Sequence, residues 1–223
     1  MTPGHLDGWG ISGYSAGRAV YFERRADPVT EGRELFGKAL DRARQSQSPV
    51  VIAHLRKASE GARGTGNTHP FHSRDWIFAH NGTVYGVQAS LPLRDSQPQG
   101  DTDSEHLMLW LLEQVHSALD TTLALAKVLK KCREQLVFSA LNFVMTDGKS
   151  LWAYRDYGDK HLELGETVEE RRKYYTLYAT RVDRSAVVCS EPLNSISKFW
   201  QPITPRTLAI FTPAMLAPQT ITI

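Results

Sequence analysis

Apolar residues gather in short strand-like runs toward both ends of the chain and in helical stripes near its middle. Trp9–Ser15 and 19–23, with Gly17 between them, read as two strands joined by a turn. From 31 to 47, Leu35, Phe36, Ala39, Leu40 and Ala43 recur at helical spacing among charges; this predicts an amphipathic helix, and a strand follows at 50–55. Residues 57–74 are rich in Gly, Ser, Thr and Asn without sustained periodicity, so a loop is expected, and a long loop between two apolar strands is a place to look for function. A strand at 76–80 then ends in Asn81-Gly82, and Pro92 and Pro98 punctuate a turn-rich stretch through Gln99.

Thr102 followed by Glu105 has the form of a capping box, so a helix is expected to open there and to run on through the apolar stretch 106–115. A second helix over 121–136 aligns Leu125, Leu129, Cys132 and Leu136 in one stripe, which makes Cys132 a core residue. The remaining apolar segments predict strands at 138–146, 150–155, 174–180, Ser185–Cys189 and Thr207–Phe211, with Asp147-Gly148 as a hairpin turn between the first two. The charged segment 158–173, with Glu169, Glu170, Arg171, Arg172 and Lys173, reads as a solvated loop or short helix without chemistry. Two central helices flanked by groups of antiparallel strands predict an α+β fold of packed sheets covered by helices, rather than a doubly wound one.

With 223 residues the chain can build one substantial core and nothing demands a second, so 1–223 is read as a single domain. Hydrophobic and charged fractions of 41% and 22% are ordinary globular usage and disfavour disordered, collagenous and coiled-coil classes. A net charge of +2, with Lys and Arg scattered, argues against a nucleic-acid partner and against a polybasic membrane anchor. The longest apolar stretch, 136–145, is interrupted by Ser139 and Asn142 and falls short of the roughly 20 residues of a bilayer span. Met1-Thr2-Pro3-Gly4-His5 carries no signal-peptide pattern, so the expected location is the cytoplasm, where Cys132 and Cys189 remain free thiols.

Candidate chemistry centres on Asn81-Gly82, where an amide side chain beside an unencumbered backbone N–H makes a two-donor cradle for an oxyanion, although such pairs also simply close type I′ hairpins. Arg56 follows the run Val50-Val51-Ile52-Ala53, so its guanidinium emerges at a strand end as a planar fork suited to a carboxylate. Asp103 lies in the first turn of a helix, where the dipole favours it and a ligand ammonium could meet it. Together the two suit the charged ends of an α-amino acid; singly, a surface ion pair and a plain helix-start carboxylate explain them as well. His54, His69, His72, His80 and His106 with Asp101 and Asp103 also suggest a metal-dependent hydrolase, but no His-x-x-x-His pair puts two ligands on one helix face, and no metal is assigned.

In chain order, His54-Leu55-Arg56-Lys57-Ala58, Asn67-Thr68-His69-Pro70-Phe71, Ala79-His80-Asn81-Gly82 and Asp101-Thr102-Asp103-Ser104-Glu105 resemble motifs of the class II glutamine amidotransferases, in the N-terminal nucleophile hydrolase superfamily. His5-Leu6-Asp7-Gly8-Trp9-Gly10-Ile11 ahead of them, and Leu141-Asn142-Phe143, Asp147-Gly148 and Ser190-Glu191-Pro192-Leu193 after them, extend the likeness over nearly the whole chain; short single-domain members are the nearest in kind. The resemblance implies a four-layer αββα sandwich of two mostly antiparallel sheets, and an enzyme that hydrolyses the γ-amide of glutamine or of a related γ-glutamyl compound without a cofactor. By the same resemblance Arg56 would bind the substrate α-carboxylate and Asp103 its α-ammonium, while the Asn81 side chain and the Gly82 N–H would form the oxyanion hole. Ammonia would be released or handed to a synthase partner.

The family likeness also implies a cysteine as residue one of the mature chain, its own α-amine serving as base, on a strand well ahead of Asp7-Gly8-Trp9-Gly10. Cys132 and Cys189 lie deep in the sequence and offer no free α-amine. Thr2, exposed by loss of Met1, is a poor substitute, because Pro3 fixes φ and withholds a strand donor. The expectation is an N-terminally truncated domain, inactive without its nucleophile, with a glutamine-binding module that performs no turnover as the alternative.

Overall fold

A computed structural model describes residues 5–59, 61–159, 162, 165–193, 195, 198–213 and 217–223; Thr2 and part of the charged segment 158–173 lie outside them. In chain order the elements are β1 (Trp9–Ser15), β2 (Arg18–Arg25), α1 (Arg33–Gln45), β3 (Ile52–Leu55), β4 (Phe71–Ser73), β5 (Trp76–Asn81), β6 (Val84–Tyr85), α2 (Val87–Ser90), α3 (Asp103–Val115) and α4 (Thr121–Gln135). There follow β7 (Val137–Phe138), β8 (Asn142–Thr146), β9 (Leu151–Arg155), α5 (Val168–Tyr174), β10 (Tyr178–Val182), β11 (Ser185–Cys189), β12 (Gln201–Pro202), β13 (Thr207–Phe211) and β14 (Gln219–Thr222).

A six-stranded antiparallel sheet in the order β14-β13-β9-β8-β5-β4 forms the centre, and alternation along its strands gives it two apolar faces. On one face Phe78, Phe143, Met145, Tyr154 and Leu208 pack with Leu107, Met108 and Leu111 of α3 and Leu125 and Leu129 of α4. On the other, Ile77, Ala79, Val144 and Leu151 meet Tyr14 of β1 and Ile52 of β3, while Ala153, Ala209 and Phe211 meet Ala179, Ala186 and Val188 of β10 and β11. Two three-stranded sheets, β2-β1-β3 and β11-β10-β12, therefore lie side by side over one floor. The outer side of the first is closed by α1, whose Ala39 and Ala43 pack on Trp9, Ile11 and Phe22. The layers run α, β, β, α, the sandwich that the resemblance implies.

Between the two small sheets runs a groove. The described residues pair β3 only with β1 and β11 only with β10, and the outer edges of both line a cavity of about 480 Å³ floored by Val144 and Leu151. Its charged lining residues, Lys149, Arg181 and Arg184, are all cations.

Several expectations need correction. The loop 57–74 contains β4, because Phe71 is buried and pairs with Phe78 across a hairpin; three residues are too few to show a period. The strand 138–146 divides, since Val137 and Phe138 pair with β6 and the chain re-enters the main sheet only at Asn142. The strand placed at 174–180 starts later, at Tyr178, because α5 runs through Tyr174. Within the segment expected to be solvated, Arg171 is 1% exposed and pairs with Glu166 at 2.5 Å. Capping is also redistributed: Thr102 Oγ1 accepts the Glu105 N–H at 3.2 Å, but the Glu105 carboxylate turns to the N–H groups of Gln99 (3.0 Å) and Gly100 (2.7 Å). The complete capping box belongs to α5, between Thr167 and Glu170. Thr102→Ala removes one N-terminal acceptor and is expected to cost about 1 kcal/mol, measurable as a drop of about 2–4 °C in thermal unfolding.

Candidate active site

The residues singled out by sequence stand at element ends on the same side of the sandwich. Arg56 follows β3, Asn81 ends β5, Gly82 comes next, and Asp103 opens α3. Alternation along β5 gives Asn81 the face of Ile77 and Ala79, the face that packs on Ile52 of β3; two and four residues beyond Ile52, the same alternation carries His54 and Arg56. The intervening loop fastens these ends together. Arg56 Nη2 donates to Gly61 O at 3.3 Å, and Ser59 Oγ accepts from Thr83 Oγ1, beside Gly82, at 2.8 Å. At the loop's far end Asn67 Nδ2 donates to Asp101 Oδ1, and the Asp101 N–H returns a bond to Asn67 Oδ1 at 2.9 Å, next to the start of α3.

Burial bears on the simpler readings of these residues. Arg56 is only 3% exposed, so it is no surface ion pair; burial lowers its pKa, with Asp7 and Asp101 acting against that shift. Asp103 is 5% exposed and is not the cap of its helix, a task that falls to Thr102. One of its oxygens, Oδ2, accepts the Val84 N–H at 2.7 Å. Asn81-Gly82 closes no hairpin, because β6 pairs with β7 and not with β5. Gly82 adopts φ +155°, and a Cβ there would lie 2.1 Å from Ala140 O, so only glycine fits.

Behind these four lies a layer of polar side chains whose histidines sequence reading weighed only as metal ligands, without the bonds that join them to other elements. His80, 2% exposed, has Nδ1 2.9 Å from Ser104 Oγ and Nε2 3.1 Å from Ala140 O. The rings of His54 and His69 lie 4.3 Å apart, and His69 sits 4.5 Å from Phe71. Burial, then the neighbouring imidazoles and Arg56, hold His69 well below its ordinary value; burial brings His54 down to about 3. His80 is lowered too, by burial against the pull of Asp103. All three imidazoles are uncharged at neutral pH. The available signal was a Ser following Asp103 and a His preceding Asn81, but both bonds join separate elements and have no sequence period.

The other histidines have separate tasks: His72 stacks on Tyr21 at 3.6 Å, and His106 Nε2 bonds Leu91 O at 2.7 Å. Among the described residues no three His, Cys, Asp or Glu side chains gather as ligands for a cation. Both cysteines are free thiols. Burial in α4 pushes Cys132 up to about 12, and Cys189, at the end of β11, is raised as well, so neither is an activated nucleophile. Among the described residues no helix is long and apolar enough to cross a membrane.

What the site offers is a guanidinium, a carboxylate and two N–H donors, one of them forced on a glycine by its surroundings. Comparisons with known proteins bear on the family of the chain. The family described as "Glutamine amidotransferases class-II" matches residues 1–221. The Escherichia coli protein YafJ is 29% identical over 233 residues, covering 94% of this chain and 86% of its own. An uncharacterized protein of Methanocaldococcus jannaschii is 33% identical over 159 residues, 69% of this chain, and the match spans 43% of that relative's length. Among solved structures, the glutamine phosphoribosylpyrophosphate amidotransferase of B. subtilis superposes with a TM-score of 0.69 at 16% identity, over 97% of this chain and 43% of that one. With the αββα layering and the ordered motifs already in place, a match over nearly its full length makes this chain a member of the class II glutamine amidotransferases.

Proposed function

We propose that Arg56, Asn81, Gly82 and Asp103 together hold glutamine, or a related γ-glutamyl compound, by both charged ends of its α-amino acid group, and that the protein hydrolyses the side-chain amide. The observation that supports this most is the fastening of Arg56, Asn81-Gly82 and the start of α3 to one loop, through Gly61, the Ser59–Thr83 bond and the Asn67–Asp101 bonds. Arg56 takes the α-carboxylate as a fork, Asp103 takes the α-ammonium, and the Asn81 amide with the Gly82 N–H meets the negative charge that develops on the amide oxygen. The attacking group in this reading is a cysteine that is neither of the two in this sequence, carried on an extended strand that pairs between the open edges of β3 and β11. Ammonia leaves to solvent or to a synthase partner, and the free thiols suit a cytoplasmic setting.

Glutamine titrated calorimetrically into the 223-residue protein is expected to bind, and Arg56→Ala or Asp103→Ala to weaken it at least about tenfold, the loss of a charge-assisted bond. In a form that carries the cysteine strand, ammonia release follows, and Asn81→Ala acts on turnover, by about 3 kcal/mol, with KM little changed. An unaltered kcat in that variant removes the oxyanion role. A second reading, binding without turnover, draws on the inert environments of Cys132 and Cys189; calorimetric binding beside a null ammonia assay would establish it.

A further inference from the structure

We propose that His80 is a positioning residue: its ring holds the Ser104 hydroxyl and so leaves one oxygen of Asp103 open to a cation. The inference rests on the reading of Asp103 as the ammonium-binding carboxylate. Hydrogen-bond polarity fixes the direction of each proton from Ala140 to Asp103. Ala140 O can only accept, so His80 Nε2, 3.1 Å away, carries the ring proton. Nδ1 is then a lone pair, and Ser104 Oγ, 2.9 Å from it, donates.

A hydroxyl has one proton. Directed to His80, it is not available to Asp103 Oδ1, which lies 3.4 Å from the same Ser104 Oγ. Asp103 Oδ2 is already engaged by the Val84 N–H at 2.7 Å. Oδ1 thus keeps its lone pairs for an incoming N–H, in the first turn of α3. Ser104 and His80 are buried, so bulk water does not take over either bond.

The titratable groups facing His80 are His54 from β3, His69 from the loop before β4 and Asp103 from α3. Burial beside two uncharged imidazoles keeps its ring neutral, although Asp103 favours the cation. A second proton on His80 would make Nδ1 a donor to Ser104 Oγ; the hydroxyl would rotate and its proton would fall on Asp103 Oδ1, closing the acceptor. The same rotation follows if Nδ1 is removed by substitution.

Two NMR measurements on the full 223-residue protein test the arrangement without any ligand. Nitrogen-15 spectra are expected to show His80 protonated on Nε2, and a carbon-13 titration of the Asp103 carboxyl to have the same midpoint in wild type and Ser104→Ala. A proton on Nδ1, or an Asp103 midpoint raised by about half a unit or more in Ser104→Ala, overturns the proposal. Glutamine calorimetry supplies the functional test. His80→Leu, which frees the hydroxyl for Asp103, is expected to weaken binding about tenfold. Adding Ser104→Ala to His80→Leu returns affinity to that of Ser104→Ala alone; if it does not, the proposal fails. The NMR result stands even if His80→Leu does not fold. Absence of glutamine binding to wild type, with the expected tautomer and midpoints, would overturn the substrate reading and leave the proton arrangement in place.

Discussion

Gly82→Ala is expected to cost the fold about 4 kcal/mol, a loss of about 8–16 °C in thermal unfolding. Two effects coincide at this position. The backbone φ of +155° is one that L side chains rarely adopt, and a Cβ there would stand 2.1 Å from Ala140 O and 3.0 Å from His80 Nε2. The first contact is with backbone, which cannot rotate away as a side-chain tip can. Ala140 is held by neighbours on both sides: the Ser139 N–H bonds Thr83 O at 2.9 Å, and the Leu141 N–H bonds Asp156 O at 3.0 Å. Relief therefore requires displacing the turn that carries the proposed oxyanion donors, so binding geometry and stability fall together. Gly37 is the internal control. It lies within α1 with nothing inside 4 Å of its would-be Cβ, so Gly37→Ala should stabilise the protein by about 0.5–1 kcal/mol through helix propensity. Equal unfolding temperatures for Gly82→Ala and wild type would mean that the Ala140 carbonyl does not press on this turn.

The same turn shows what a linear sequence reveals and what it hides. Asn81-Gly82 stands out because both residue types are rare within strands; that it closes no hairpin follows only from β6 pairing with β7, a long-range choice. Strands such as Trp9–Ser15, Ser185–Cys189 and Thr207–Phe211 were legible because they are long enough to show apolar runs between turn signals. β6, β7 and β12 have two residues each and carry no period at all. Arg171 illustrates a different limit. A run of Glu-Glu-Arg-Arg-Lys reads as solvated, yet once it coils into α5 one of its five side chains must point inward, and Glu166 is there to meet it. In the candidate site, Arg56 and Asp103 could be singled out from their positions at a strand end and a helix start. The Ser59–Thr83 and His80–Ser104 bonds could not, because each joins residues 24 positions apart in different elements.

The buried imidazoles beside the candidate site make the protein acid-sensitive. Unfolding free energy is expected to fall by about 4 kcal/mol between pH 7 and pH 5, from His54 and His69 alone. Both rings are held neutral in the folded state, His54 down to about 3 and His69 well below its ordinary 6.5, chiefly by burial. The unfolded chain binds a proton on each near pH 6.5, so below that value protonation draws the equilibrium toward unfolding. The slope is about 1.4 kcal/mol per pH unit for each histidine, and it persists until the folded pKa is reached. Above pH 7 these two residues contribute no pH dependence, since they are neutral in both states. Carboxylates act in a lower window: Glu113, held to about 2 by the N–H groups of Arg94, Asp95 and Ser96 against the cost of burial, stabilises the fold above its unfolded value near 4.5 and loses that contribution only as pH drops below it. Chemical denaturation at pH 7, 6 and 5 therefore isolates the imidazoles. A change under about 1 kcal/mol across that range would mean that His54 and His69 can charge without disturbing the fold, which the enclosure of their adjoining rings beside Phe71 and Arg56 does not permit.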